Sequence, residues 1–384
     1  MVVQVLKPFS CWLILVFCLL SACMFNREDN ARVEKLNLPF AFSYPSTVPK
    51  VAKLLDSYRK KGTLLSLNKD TERYARNIVS WQMDHGGFGL HDAAFYEYPW
   101  DGKQKRSVWV SEGRELGNFD DDATVSEIRF LAEVYGKTLD PSLKLLIKAS
   151  VEHCLQFIFE SQYENGGWPQ VYPKRYKQIY SNNVTLNDNA MVRTMVLLTD
   201  IFTDMAPFDT DLVRDEIKRE IYPRLTSAVD YLLRAQIKNN NELTIWSGQY
   251  NPETGAPAPG RSYELVSKSS IESVGVLAYL MNWPEQSAKV VEAVSGGVAW
   301  YSANKVKNIV FKKGEFFEKN GTEFWYRFYE VDSNVAFFAG RDGIKKYDLA
   351  LVEEERRKGY SWGGNYASRV LRAAPLYFDG LESN

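Results

Sequence analysis

Histidine is scarce, at three in 384 residues, which leaves little for a His-rich metal centre or an extended imidazole relay. Cysteine is almost absent from the body of the chain. Three of the four, Cys11, Cys18 and Cys23, fall in the first 23 residues, and Cys154 stands alone. An internal disulfide framework is therefore excluded, and the roughly 360 residues that follow must be held by a hydrophobic core, which they are numerous enough to build. Charge of one sign is missing too. Lys+Arg number 47 against Asp+Glu 48, which removes the bulk electrostatic case for a nucleic-acid partner. Hydrophobic residues at 45% and charged residues at 25% exclude a disordered or fibrous protein. Aromatics are what the chain has in excess: 14%, with 22 Tyr and 10 Trp. Such a surplus suits stacking on flat ligands such as sugar rings, and it also suits a large helical core.

Residues 1–22 read as a targeting segment. Lys7 supplies positive charge, and Phe9 to Leu20 is an apolar run of signal length, short for a membrane span. The run ends in Leu20-Ser21-Ala22-Cys23, the pattern of a bacterial lipoprotein, so Cys23 is expected to carry lipid as the first mature residue. Residues 23–50, polar and then marked by Pro39, Pro45 and Pro49, read as a tether, and 51–384 as the folded body. The expected location is outside the cytoplasm, in the periplasm or on the outer membrane or cell surface.

Helical periodicity dominates from about residue 50. Ile128, Leu131, Ala132 and Tyr135 recur at i, i+3, i+4 and i+7, and Asp140-Pro141 supplies an N-cap and N1 proline for a helix running to Gln162. Met191–Ile201, Leu212–Gln236, Ser270–Leu280 and Glu285–Tyr301 read the same way, and 308–330 as a hairpin. A repeat runs through the helices. Gln82, Gln162 and Gln236 each end a helix and precede a turn and an aromatic, through Gly86-Gly87-Phe88, Gly166-Gly167-Trp168 and Trp246. Spacings of 80 and 74 residues leave room for two helices per unit, the organisation of a mainly α, α/α toroid of helical hairpins. Trp168 reads as a buried aromatic locking its turn.

A second echo carries chemistry. Phe119-Asp120-Asp121-Asp122-Ala123 overlays Leu186-Asn187-Asp188-Asn189-Ala190, each immediately before a helix. One helix cap needs one Asp, whereas adjacent carboxylates repel and become favourable around a cation. Oxygen-only ligands point to Ca²⁺ ahead of Mg²⁺ in an exported protein.

Asn165-Gly166-Gly167-Trp168-Pro169-Gln170-Val171-Tyr172-Pro173 with Val184 to Met191, together with Pro257 to Leu265, Tyr326 to Glu330 and Phe338 to Gly343, resembles polysaccharide lyase family 10, the helical pectate lyases. The likeness covers roughly residues 65–365 and makes 51–384 a catalytic domain. It implies an open groove on an α/α toroid with a smaller flanking subdomain, and Ca²⁺-assisted β-elimination of α-1,4-linked polygalacturonate to 4,5-unsaturated products. It further places Asp120 and Asp188 on its Ca²⁺-associated positions, Arg261 on its proton abstractor, and Arg327 and Arg341 on its substrate-binding arginines. Beside these, Asp121 is a further candidate metal ligand, the triplet leaving open which aspartate reaches the cation, and Asn187 a further candidate substrate contact. Elimination removes a weakly acidic proton α to a carboxylate, and a divalent ion on that carboxylate acidifies it. Arginine serves as base only if neighbouring cations, the Ca²⁺ with Arg327 or Lys268, depress its pKa in an alkaline medium. A permanently charged carboxylate clamp is the alternative at Arg261.

Two other classes share part of this pattern. A non-catalytic, uronate-binding surface lipoprotein would use the aromatics and arginines without needing the Asp120/Asp188 pair. Class II terpene cyclases combine an α/α toroid with an Asp-x-Asp-Asp motif, but Phe119 stands two residues before Asp121 and the pattern fails. A lipid-tethered monomer is the expected state.

Overall fold

The apolar stripes anticipated in the sequence become real helices. The computed structural model describes residues 44, 46–59, 70–90, 93–177 and 179–382. The expected signal segment, Cys23 and most of the tether lie outside the described residues. Eight helices of ten residues or more follow: α1 (Thr71–Ser80), α2 (Val125–Lys137), α3 (Pro141–Ser161), α4 (Ala190–Phe202), α5 (Asp215–Ala235), α6 (Ser270–Leu280), α7 (Ala288–Ala303) and α8 (Ser368–Glu382). Asp140 caps α3 as expected, its side chain accepting from the Ser142 and Leu143 N–H groups, with Pro141 at the first turn.

Burial sorts the helices into two layers. In α4 every residue but Arg193 is buried, and α2 and α6 are buried almost throughout, the mark of helices surrounded by protein. In α5 the buried residues Lys218, Ile221, Leu225, Ala228, Val229, Tyr231, Leu232 and Ala235 gather on one side, the mark of an outer helix. The hairpins α1–α2, α3–α4, α5–α6 and α7–α8 thus form an α/α toroid, with α2, α4 and α6 inside.

The repeated glutamines tie the outer helices together. Gln82 Nε2 donates to Gly86 O and to Ser150 O in the next outer helix. Gln162 Nε2 repeats this with Gly166 O and Arg224 O, and Gln236 with Thr244 O and Ala293 O. Each amide satisfies its own turn and one carbonyl of the following unit, so the residue type is dictated by two donors on one atom. The glycine is dictated as well. Gly166 has φ +97°, and a Cβ there would sit 2.2 Å from Ser227 O. Trp168 is buried, its indole donating to Ile158 O, and Trp246 does the same to Leu232 O.

The N-terminal described segment belongs to the body, although the tether was expected to run to residue 50. Tyr44 and Arg59 bind the buried Asp200 of α4, which also takes Arg129 of α2, and the Ser46 N–H donates to Asn282. Removing one partner of such a buried charge group costs about 3–5 kcal/mol. Past α7 the chain forms an antiparallel hairpin, Val306–Lys312 with Glu315–Tyr326, and a four-stranded sheet ordered Lys268–Ser269, Phe328–Tyr329, Ala336–Ala339, Lys345–Lys346. A second apolar cluster of Phe328, Phe337, Phe338, Leu349, Val352 and Trp362 makes this the smaller flanking subdomain. Among the described residues no helix is long and apolar enough to cross a membrane.

Candidate active site

The two acidic blocks fold alike. Asp120–Asp122 and Asn187–Asn189 are single 3₁₀ turns at the heads of α2 and α4. Asp121 (φ 46°, ψ 38°) matches Asp188 (φ 51°, ψ 21°), and Asp122 (φ 68°) matches Asn189 (φ 62°). These left-handed conformations are unfavourable for most side chains, and Asp and Asn tolerate them best. The turns pack against each other because α2 and α4 are neighbouring inner helices.

The three consecutive aspartates then separate. Asp120 Oδ2 accepts from Gln170 Nε2 at 2.7 Å, and its N–H donates to Asn118 Oδ1. Burial and the neighbouring Asp121 push its carboxyl above the usual range. Asp122 turns to Arg193 of α4 at 2.6 Å, a structural pair. Asp121 is the exposed one. In the second turn, burial, then Glu272 and Asp120, push Asp188 up to about 7, against the opposing pull of Arg327 and Arg261. Glu272 and Asp120 are therefore the carboxylates that crowd Asp188, and Asp121 the one that crowds Asp120.

Arg261 reaches this pair, with Nη2 3.6 Å from Asp188 Oδ2. Its other contacts differ from those required of a base. Glu264 takes its Nε at 3.0 Å, its Nη2 at 2.5 Å and its backbone N–H at 3.0 Å. Tyr360 OH and, at 3.4 Å, Asn187 Nδ2 donate to the same carboxylate. Gly260 leaves it room, since a Cβ there would lie 2.6 Å from Glu264 Oε2. Burial works to lower the Arg261 pKa, but Glu264 more than offsets it and holds the guanidinium well above its ordinary value. Lys268, expected among the depressing cations, donates instead to Asn239 and Asn334.

The other arginines part company. Arg327 is 5% exposed; it binds Glu272 at 2.8 Å, lies 4.0 Å from Asp188 and stacks 4.4 Å over the Tyr360 ring. It is thus buried between Glu272 and Asp188. Arg341 is exposed and paired through two bonds with Glu355, and lies 5.8 Å from the centre of the Tyr263 ring, which Arg261 and Arg356 also approach. Sequence reasoning missed Glu264, Glu272, Gln170 and Tyr360. Glu264 had a signal, three residues after Arg261, and Glu272 lies in the first turn of the third inner helix, where a third acidic position continues the echo.

Among the described residues no three His, Cys, Asp or Glu side chains converge as a metal cage. Asp120 and Asp188 alone fit a hard cation that takes its remaining oxygens from elsewhere, since Ca²⁺ needs six to eight. A hollow of about 1180 Å³ between α7 and the 239–242 and 332–334 turns shares no residue with this cluster and is lined by no Lys or Arg, so it does not suit an anionic ligand.

The pectic acid lyase family model matches residues 82–371, a span holding both acidic turns and all three arginines. The chain belongs to the pectic acid lyase family. A family 10 polysaccharide lyase from Cellvibrio cellulosa is 33% identical, covers 87% of this chain and 98% of its own, and superposes with a TM-score of 0.73. An aspartate-to-alanine mutant of the Cellvibrio cellulosa enzyme in complex with trigalacturonic acid matches at 33% identity over 86% of this chain and 99% of its own, with a TM-score of 0.73. No curated protein matches. This pectic acid lyase is thus an enzyme on the α/α toroid of family 10, and the acidic turns with Arg261 are its candidate active site.

Proposed function

We propose that this pectate lyase cleaves α-1,4-linked polygalacturonate by Ca²⁺-assisted β-elimination, with Asp120 and Asp188 holding the cation and Arg261 facing the C5 proton. The observation that carries this reading is the crowding of two carboxylates beside one guanidinium at the heads of α2 and α4. The trigalacturonic acid bound to the related enzyme supports a galacturonate substrate. Ca²⁺ supplies the remaining attraction for the substrate carboxylate and acidifies the C–H beside it. Because Nε and Nη2 of Arg261 are spent on Glu264, Nη1 is the edge left for substrate. In the neutral form that nitrogen takes the C5 proton, the C–H electrons form the C4=C5 bond, and the C4–O bond breaks, with water protonating the departing oxygen. Glu264 makes the neutral form costly, so turnover rises with pH well past neutrality.

One observation favours a second role for Arg261. The Glu264 pairing suits a guanidinium that keeps its proton and clamps a uronate carboxylate, and that role predicts a flat alkaline profile. Absorbance of the unsaturated product, followed on polygalacturonate with EDTA and with restored Ca²⁺, tests the activity. The Arg261→Lys variant should still bind polymer and lose most turnover. Arg341, freed from Glu355, and Asn187 complete the proposed substrate contacts. Export follows from the N-terminal segment, and a Cys23→Ser variant should move the protein from the membrane fraction to the soluble one as a monomer.

A further inference from the structure

The segment between Trp100 and Glu115 builds a hollow of about 490 Å³ that no part of the catalytic reading uses. Its walls carry Lys103, Lys105, Arg106 and Arg114 against only two carboxylates, Asp84 and Glu115. Arg106 takes both, at 3.2 and 3.1 Å, and stacks 4.2 Å over the Trp100 ring. Lys103, Lys105 and Arg114 are exposed and have no carboxylate partner among the described residues. In a chain of net charge −1, three uncompensated cations around one concave surface form a local field that selects an anion.

The hollow is mechanically tied to the active site. Val110–Ser111 and Arg114–Glu115 pair as a tight hairpin whose turn residues, Glu112 (φ 51°) and Gly113 (φ 77°), have the positive φ that such turns require. The chain then passes straight through Gly117–Asn118 to Asp120. Arg114 is six residues from Asp120, so at full extension the two stand at most about 20 Å apart. A second tie runs through residues that flank Val110. Ser111 Oγ accepts the Tyr176 N–H, Arg175 lies over Trp109, and Trp109 meets Tyr180, which is within electrostatic reach of Arg261 and Asp120.

We infer that Lys103, Lys105 and Arg114 form a distal subsite that holds the carboxylates of a long polyuronate chain several sugar units away from the bond being cleaved. This rests on the proposed pectate lyase activity. A ligand of regularly spaced carboxylates fits because three cations line one hollow whose hairpin runs on within six residues to Asp120, so a long polymer can engage both places while a trimer at the centre cannot. Direct contacts in the groove give register, and the distal cations give retention and a faster encounter.

The test is the triple variant K103Q/K105Q/R114Q, which breaks no ion pair among the described residues. Its KM for long polygalacturonate should rise about tenfold at low salt with kcat unchanged. Its KM for trigalacturonic acid should stay within about twofold of the wild type. The slope of log KM against log salt on the polymer should fall by about 2, the value for three released counterions on a single-stranded polyanion. A triple variant with wild-type KM and slope on the polymer overturns the inference, as does one whose only loss is binding to anionic phospholipid vesicles, which would make this a membrane-facing patch. If the wild type does not cleave either substrate, the proposed activity fails by itself. Equilibrium binding of polygalacturonate then decides: loss in the triple variant sustains the subsite, and equal binding removes it.

Discussion

Two kinds of turn join the helices of this toroid, and they are built on opposite principles. At the outer corners, Gln82, Gln162 and Gln236 each spend one amide nitrogen on two carbonyls. At the first two corners Gly86 and Gly166 take a positive φ that few other residues accept cheaply, and at the third Asn240 and Asn241 take it. At the heads of the inner helices the opposite holds. Asp121, Asp122, Thr124, Asp188 and Asn189 all carry positive φ without being glycine, and like charges are pressed together. Relaxed corners hold the frame, and the strain and repulsion are gathered where the chemistry is proposed.

Breaking each kind of turn should therefore give opposite signatures. The largest effect is expected from Asp188→Asn, which should cut turnover on polygalacturonate by about 10³-fold, of the order of 4 kcal/mol in the barrier, while leaving the fold intact. Gly166→Ala should do the reverse. With φ +97° and a Cβ 2.2 Å from Ser227 O, it should cost about 3 kcal/mol in urea unfolding, with kcat per folded molecule unchanged. Gln162→Ala leaves Gly166 O and Arg224 O without their donor and should cost roughly 2 kcal/mol by the same measurement, again without a change in kcat. The smallest effect is electrostatic. Burial, Glu272 and Asp120 raise Asp188 to about 7, so between the unfolded value near 4 and that point the native state holds more protons than the unfolded chain. Stability of the cation-free enzyme is thus fullest at the acidic end and falls as pH climbs toward 7. Glu127, which burial also pushes up to about 7, adds to the same trend. Solvent reaching a third of the Asp188 side chain screens much of its share. The Tm drop over that window should therefore be smaller in Asp188→Asn than in the wild type by roughly 2 °C.

Much of this was legible in the chain. The periodic stripes marked α2 to α7, because helices buried on one face or all round leave their period in the sequence. The glutamine repeat exposed the toroid before any contact was known, since it is a local device used three times. The overlay of Asp120–Asp122 on Asn187–Asn189 pointed to the candidate site for the same reason, and the two turns do share one backbone conformation. What stayed hidden was pairing. That Asp122 belongs to Arg193, Arg327 to Glu272 and Arg341 to Glu355 depends on how separate segments meet. The clamp of Arg261 by Glu264 holds that guanidinium charged, and the three-residue spacing alone did not say that the bond would form. The short strands were hidden as well, most being two residues long, too short to leave an alternation.

Since no three His, Cys, Asp or Glu side chains form a metal cage among the described residues, the cation site proposed at Asp120 and Asp188 requires the sugar acid to complete it. Calorimetric titration of Ca²⁺ into the metal-free Arg261→Lys variant, with and without saturating trigalacturonic acid, reads this directly without turnover. Ca²⁺ should bind weakly alone and at least about tenfold more tightly with the trimer, and the trimer should gain the same factor from Ca²⁺. Equal Ca²⁺ affinity in both titrations would contradict a substrate-completed site and the catalytic role given to Asp120 and Asp188.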